Sequence, residues 1–143
     1  MRKQKDTLLL EQAYEKVLED FNSERRLNAF SQNLQGRGFK QAYRDSTNNG
    51  EVHVFFNPKF GELIFVETDA SKNFVDGYVL TTDSAANVVK MISQHTMGFG
   101  SLKELLDHVA QNSNITASEM HHLKNYEEAF QQIQSRDNYK VGV

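Results

Sequence analysis

The middle of the chain alternates between apolar runs and turn-forming residues. Four runs between residues 38 and 82 have the composition of β-strands, and they read GFKQAYR, EVHVFFN, GELIFVET and DGYVLTT. Asn49-Gly50 separates the first two runs, and both residues tolerate the positive φ of a hairpin turn. Asn57-Pro58 opens the next turn and Gly61 closes it. The pattern predicts a four-stranded antiparallel β-meander over about 38–82.

The two middle runs are apolar on both faces rather than alternating, as Val54-Phe55-Phe56 and Leu63-Ile64-Phe65-Val66 illustrate. A strand that is buried on both sides has this composition. Each face of the sheet therefore needs a cover. The cover comes either from helices of the same chain, which layer packing favours, or from a second copy in a sheet-mediated homodimer.

Helical periodicity appears before the meander. Apolar residues recur at three- and four-residue steps at Leu10, Ala13, Tyr14, Val17, Leu18 and Phe21. The stripe stops at Asn22-Ser23, because Glu24 and Arg25 occupy the positions where apolar residues would continue. The pattern predicts a second helix from this point to Gly36, a residue suited to the left-handed C′ position.

Three helices are expected after the meander. The first follows Asp83 or Ser84 and ends near Thr96, and the second opens with the capping box Ser101–Glu104. A similar box, Thr116–Glu119, predicts the start of the last helix. The whole is an α+β fold in one domain over 1–143, with two N-terminal helices, the meander and three C-terminal helices. Residues 1–5 and 137–143 are expected to fray.

Composition narrows the chemistry that the chain can perform. The 143 residues are 38% hydrophobic and include no cysteine, which excludes disulfides, thiolate metal sites and a cysteine nucleophile. No phosphate-binding glycine motif and no tight histidine pair occurs, so we expect no cofactor and no metal. Charged residues interrupt the apolar start, and no run approaches the ~20 residues of a membrane span. We expect a cytoplasmic protein with no membrane contact.

Charge alternates in sign along the chain. Residues 6–24 carry six acids against Lys16, whereas the segment 25–44 is basic without interruption. The candidate contact residues in or beside that block are Arg25, Arg26, Arg37, Phe39, Lys40, Tyr43 and Arg44. On an extended strand Lys40 and Arg44 share one face, and cations beside aromatic rings suit phosphates and stacked bases. A protected edge strand or an acidic protein partner would use the same residues.

A weaker set of candidates lies on the sheet. His53, Glu67, Asp69 and Asp76 are the groups from which a metal-dependent hydrolase could be built. The lysine that such sites use to support the attacking water is missing, because His53 and Asp69 stand where it is required.

The sequence favours a small non-catalytic binding or regulatory protein, such as an inhibitor, adaptor or immunity-type module, with a protein partner. Nucleic-acid binding through the basic 25–44 block and hydrolysis on the sheet are the alternatives. The chain is a monomer or a sheet-mediated homodimer in these interpretations.

Overall fold

The computed structural model describes residues 2–94, 98–112 and 117–141, with side chains for 9–15, 17–18, 22–94, 98–112 and 120–135. In these ranges the elements are α1 (Arg2–Gly36), β1 (Lys40–Thr47), β2 (Gly50–Asn57), β3 (Glu62–Asp69), β4 (Phe74–Thr82), α2 (Ala85–Gln94), α3 (Leu102–Asn112), β5 (Ala117–Leu123) and α4 (Tyr126–Val141). The strands form one antiparallel sheet in the order β1-β2-β3-β4-β5. The predicted α+β class, an antiparallel meander with helices at both ends of the sequence, is confirmed.

The sheet has a fifth strand where a helix was predicted. β5 pairs antiparallel with β4, and Leu123 lies opposite Gly77. The prediction of a helix from Thr116 was wrong, because this segment completes the free edge of β4 instead of capping a helix. The helix begins at Tyr126, where Asn125 Oδ1 accepts a hydrogen bond from the Glu128 amide at 2.8 Å. A second bond, from the Lys124 amide to Glu128 Oε2, completes this capping pair.

The N-terminal segment is one helix of 35 residues rather than two. At 1.5 Å per residue it is ~52 Å long. The helix continues through Asn22-Ser23, and the apolar pattern breaks there because the buried face begins at Ser23 on another side of the helix. Ser23 is buried, and its hydroxyl donates to Asn73 Oδ1 at 2.5 Å. Leu27, Phe30 and Leu34 then face the sheet with at most 7% of their surface exposed.

Each face of the sheet carries its own core. On the first face, Val54, Phe65 and Leu80 pack with residues of α2 and α3; we call it the α2/α3 face. On the opposite, α1/α4 face, the sheet residues include Phe55, Ile64 and Val79. Phe30 and Leu34 of α1 cover it together with Ala129 and Ile133 of α4. The chain's own helices thus occupy the positions that a second copy would need in order to cover either face.

Within the described ranges, no helix combines the length and the apolar composition that crossing a bilayer requires. The backbone of residues 2–5 and 137–141 is helical as part of α1 and α4. Fraying of the termini and a single domain over 1–143 stay predictions.

Candidate functional site

The first part of α1 exposes large apolar side chains. We call residues 2–22 the arm. Its exposed apolar residues are Leu9 (62% exposed), Leu10 (71%), Tyr14 (65%), Val17 (64%) and Leu18 (42%). Buried side chains begin only at Ser23 among the residues of α1 whose side chains are described. An apolar stripe of this kind on a helix ordinarily packs against another surface.

The stripe of the arm points away from the sheet. Successive residues of a helix are ~100° apart, so Leu10, Tyr14 and Val17 lie within ~60° of one another. The buried residues Leu27 and Phe30 are centred roughly 130° around the helix from that stripe. The stripe therefore does not lie on the continuation of the helix face that packs on the sheet. The stripe of Leu10, Tyr14 and Val17 is thus exposed on a side of α1 that does not face the sheet.

The arm is basic at its start and acidic after it. Residues 2–5 carry three cations, whereas residues 6–22 carry five acids and one lysine, a balance of −4. Glu11 and Glu15, whose side chains are described, are exposed. By helical position, Glu11 and Glu15 lie beside the stripe on the same side as Leu18. The arm thus combines an apolar stripe with an acidic flank.

The basic block is divided between different surfaces. A β-bulge between Gln41 and Tyr43 shifts the register of β1 against β2. Lys40 therefore pairs with Phe56, on the α2/α3 face, while Arg44 pairs with His53, on the α1/α4 face. The prediction that Lys40 and Arg44 share one face was wrong, because the extra residue of a bulge reverses the alternation of side chains.

The aromatic residues of the block belong to the protein interior. Phe39 is 2% exposed and packs in the core of the α1/α4 face. Tyr43 is half-buried, and its hydroxyl donates to Asp45 Oδ2 at 3.2 Å. Burial, with the nearby Asp45 carboxylate, raises the pKa of Tyr43 to about 12. Neither ring is presented as a stacking platform.

Arg25 and Arg26 of α1 are exposed. Arg37 lies in the turn after α1, is half-buried, and donates through Nε to Asn33 Oδ1 at 3.3 Å. Arg44 instead donates to Glu51 Oε1 at 2.8 Å. The seven residues predicted as one contact surface are therefore distributed over α1, the turn that follows it, the core and both faces of β1.

Glu51 is the centre of an ionic cluster on the α1/α4 face. It is 8% exposed and contacts the Arg44 guanidinium, the Lys72 ammonium and the His53 ring. Burial alone would raise the pKa of Glu51, but the hydrogen bonds from Arg44 and Lys72 outweigh it and lower the pKa to about 2. The carboxylate is charged at neutral pH and compensates two cations.

His53 lies beside Glu51 and is buried on β2. Gln41 Nε2 lies 3.0 Å from His53 Nδ1, an arrangement in which the amide donates and Nδ1 accepts. His53 Nε2 approaches Glu51 Oε2 to 2.9 Å without the alignment of a hydrogen bond. Burial lowers the pKa of His53, although the Glu51 charge opposes this effect. His53 is consequently a neutral, structural part of the cluster.

The four candidates for hydrolysis do not converge. His53 lies on the α1/α4 face, whereas Glu67 and Asp76 pair with each other on the α2/α3 face. Glu67 is half-buried and accepts from the Leu102 amide; burial and the Asp76 charge raise its pKa. Asp76 Oδ1 lies 2.6 Å from Nε2 of His122.

Asp69 has a structural role in the loop after β3. Its Oδ1 accepts hydrogen bonds from the amides of Ser71 and Asn73, both at 2.9 Å. Among the described residues, no three His, Asp or Glu side chains are grouped so that they could hold a metal ion. The structure thus does not assemble the predicted hydrolase residues into one site.

Sequence reasoning identified the arm's stripe but did not distinguish it from a face that packs on the sheet. The two faces can be distinguished by the angular position of their residues around the helix axis. When one period is carried through Asn22 and Ser23, the stripe of Leu10 and Tyr14 does not align with that of Leu27 and Phe30. Lys72, the cation that completes the Glu51 cluster, had no sequence signal, because it reaches Glu51 from a loop 21 residues away.

No protein-family model, no curated protein and no solved structure shows a significant match to this chain. The assignment of a function therefore depends on the geometry alone.

Proposed function

We propose that this protein is a non-catalytic binding module that acts on a protein partner through the arm of α1. The observation that carries the proposal is the exposed stripe of Leu10, Tyr14 and Val17 on a helix that extends beyond its own core. A helix without tertiary contacts is only marginally stable in water. Burial of the stripe against a partner would stabilise both the helix and the complex.

The mode of binding is an amphipathic helix in an apolar groove. Leu10, Tyr14 and Val17 have the i, i+4, i+7 spacing of helix anchors. Full burial of one such side chain contributes about 1.5–3 kcal/mol, from which the cost of association is subtracted. A helix with three such anchors suits a regulatory protein such as an inhibitor, adaptor or immunity-type module.

Charge defines the chemistry of the partner. The balance of −4 over residues 6–22, the part of the arm that carries the stripe, favours a groove with a basic rim. A second copy whose stripe met this one would bring two acidic 6–22 segments together, which costs affinity at ordinary ionic strength. We infer a heterologous partner rather than a homodimer. The cytoplasm is the compartment we expect, since a chain without cysteine has no disulfide to lose there.

The test is affinity capture from the native host followed by titration with the purified partner. The variant Leu10→Ser with Val17→Ser removes two anchors without changing charge. Gln12→Ser is the matched control, because Gln12 is exposed on the opposite side of the helix and loses a similar helix propensity. We expect the double variant to weaken binding at least ~100-fold, the control to bind normally, and affinity to fall as salt is raised.

Three results would contradict the proposal. A partner that binds the double variant as well as the wild type does not use the arm. Self-association that the double variant abolishes, seen in sedimentation velocity, would identify a second copy as the occupant. Retention of nucleic acid that persists in the double variant would point to the arginines instead.

A further inference from the structure

A groove separates the first described buried turn of α1 from the start of α4. Its volume is about 470 Å³, within the range of sites for small organic ligands. The loop between β3 and β4 closes one end through Lys72, Asn73 and Phe74. The groove belongs to the α1/α4 face, so it is distinct from the arm and its stripe.

Aromatic rings form one wall of the groove. Phe30 of α1 lies 4.7 Å from Tyr126 and 5.0 Å from Phe130, measured between ring centroids. Phe74 meets Tyr126 edge-on at 4.9 Å. Rings held by such mutual contacts keep a fixed surface for a planar apolar group. The Tyr126 hydroxyl is buried and has no hydrogen-bond partner in the described part of the chain.

The opposite side of the groove is polar and mildly cationic. Arg26 and Lys72 line it together with one acid, Glu127, and the Lys72 ammonium is paired with Glu51. Arg26 is exposed and forms no ion pair with a described residue. The amides of Asn33 and Asn125 add neutral donors and acceptors. Arg26 is therefore the cation that a ligand in this cavity can engage beside the rings.

Lys72 has an uncommon backbone conformation at one end of the groove. Its φ is 66°, and it is the one residue other than glycine with positive φ in the described ranges. This left-handed conformation is unfavourable for a lysine. It occurs where Lys72 lines the end of the groove while its ammonium pairs with Glu51.

We propose that this groove binds a small aromatic anion, with its ring against Phe30, Phe74 and Phe130 and its charge at Arg26. An apolar cavity with a few convergent polar groups defines such a ligand class. A cation next to aromatic rings provides the anionic subsite and the ring subsite in one cavity. The proposal does not depend on the protein-binding role of the arm.

The experiment uses the full chain and two probes with the same ring system, 1-naphthoate and the neutral 1-naphthalenemethanol. Binding is followed by calorimetry and by amide shifts in two-dimensional NMR spectra. We expect 1-naphthoate to bind about tenfold more tightly, which corresponds to ~1.4 kcal/mol, with shifts at Asn73 and Tyr126. Equal affinity for both probes would overturn the anionic subsite, and binding of neither would overturn the site.

Matched variants locate the subsites. Arg26→Gln should reduce the preference for 1-naphthoate to about twofold, whereas Arg25→Gln should retain it, because both arginines are exposed but only Arg26 lines the groove. Ala29 is exposed and lines the groove, so Ala29→Trp should fill it and abolish binding of both probes without removing a core side chain. Undiminished binding by Ala29→Trp would place the ligand elsewhere.

The arm variant separates this inference from the proposed function. Leu10→Ser with Val17→Ser should leave the affinity for 1-naphthoate unchanged. A loss of naphthoate binding in that variant would assign the probe to the exposed stripe and overturn the groove, whatever the protein partner does.

Discussion

At the scale of single residues, the structure explains why a carboxylate lies inside the sheet. Glu51 is the second residue of β2 and is buried there beside Arg44 and Lys72, which hold its carboxylate. A buried charge without partners would cost several kcal/mol, so the cations and Glu51 form one unit. The sequence indicated neither partner, because one approaches across a strand pair and the other from a distant loop.

Replacement of Glu51 by glutamine should destabilise the protein in a pH-dependent way. The pKa of Glu51 is lowered from 4.5 to about 2 in the folded state, so its stabilisation is fully present above the unfolded value. It is lost as pH falls from ~5 towards 2, and it is worth at most about 3 kcal/mol. We expect urea unfolding of Glu51→Gln to differ from wild type most at pH 7 and least at pH 2.

Protonation of His53 acts in the same direction, because burial lowers its pKa and the fold weakens as pH falls below the ordinary value. The comparison is therefore repeated with His53→Gln, which removes this contribution. The unfolding free energy of His53→Gln is compared with that of the double variant His53→Gln, Glu51→Gln. A difference in unfolding free energy that stays constant from pH 7 to pH 2 would show that the carboxylate is not stabilised by its ion pairs.

At the scale of elements, the sequence predicted the strands and helices that have clear turn or cap residues at their ends. It did not predict the features that depend on how one strand pairs with another. The four strands with turn signals between them occur at the predicted positions, and α2 and α3 begin near their predicted caps. β5 was missed because the free edge of β4 provides hydrogen bonds that no local pattern reveals. The β-bulge of β1 was missed for the same reason, since register is a property of two strands.

The continuity of α1 yields a prediction at Asn22. In a continuous helix Asn22 is an interior position, where Asn22→Ala should raise helix stability by a few tenths of a kcal/mol. If Asn22 instead capped a second helix, the same change would cost about 1 kcal/mol. Amide hydrogen exchange over residues 18–26 measures the sign directly, and slower exchange in the variant is the expected result.

At the scale of the whole molecule, the fold class was predictable because both middle strands required a cover on each face. The structure meets that requirement with α1 and α4 on one face and α2 and α3 on the other. The candidate site was less predictable. A contact surface depends on what remains uncovered after packing, and the stripe of Leu10 and Tyr14 has the same local pattern as a core face.

This separation of core and arm predicts that the arm can be removed without unfolding the protein. A chain that starts at Asn22 keeps Ser23, Leu27 and the rest of the buried face of α1, and Asn22 becomes a suitable N-cap. Its free energy of unfolding should lie within about 0.5 kcal/mol of the full chain, as for other changes that leave the core intact. Circular dichroism should show the loss of helix, while partner binding is abolished. A truncated chain that is much less stable would mean that the arm packs on its own domain, and the stripe could not then be the surface that a partner buries.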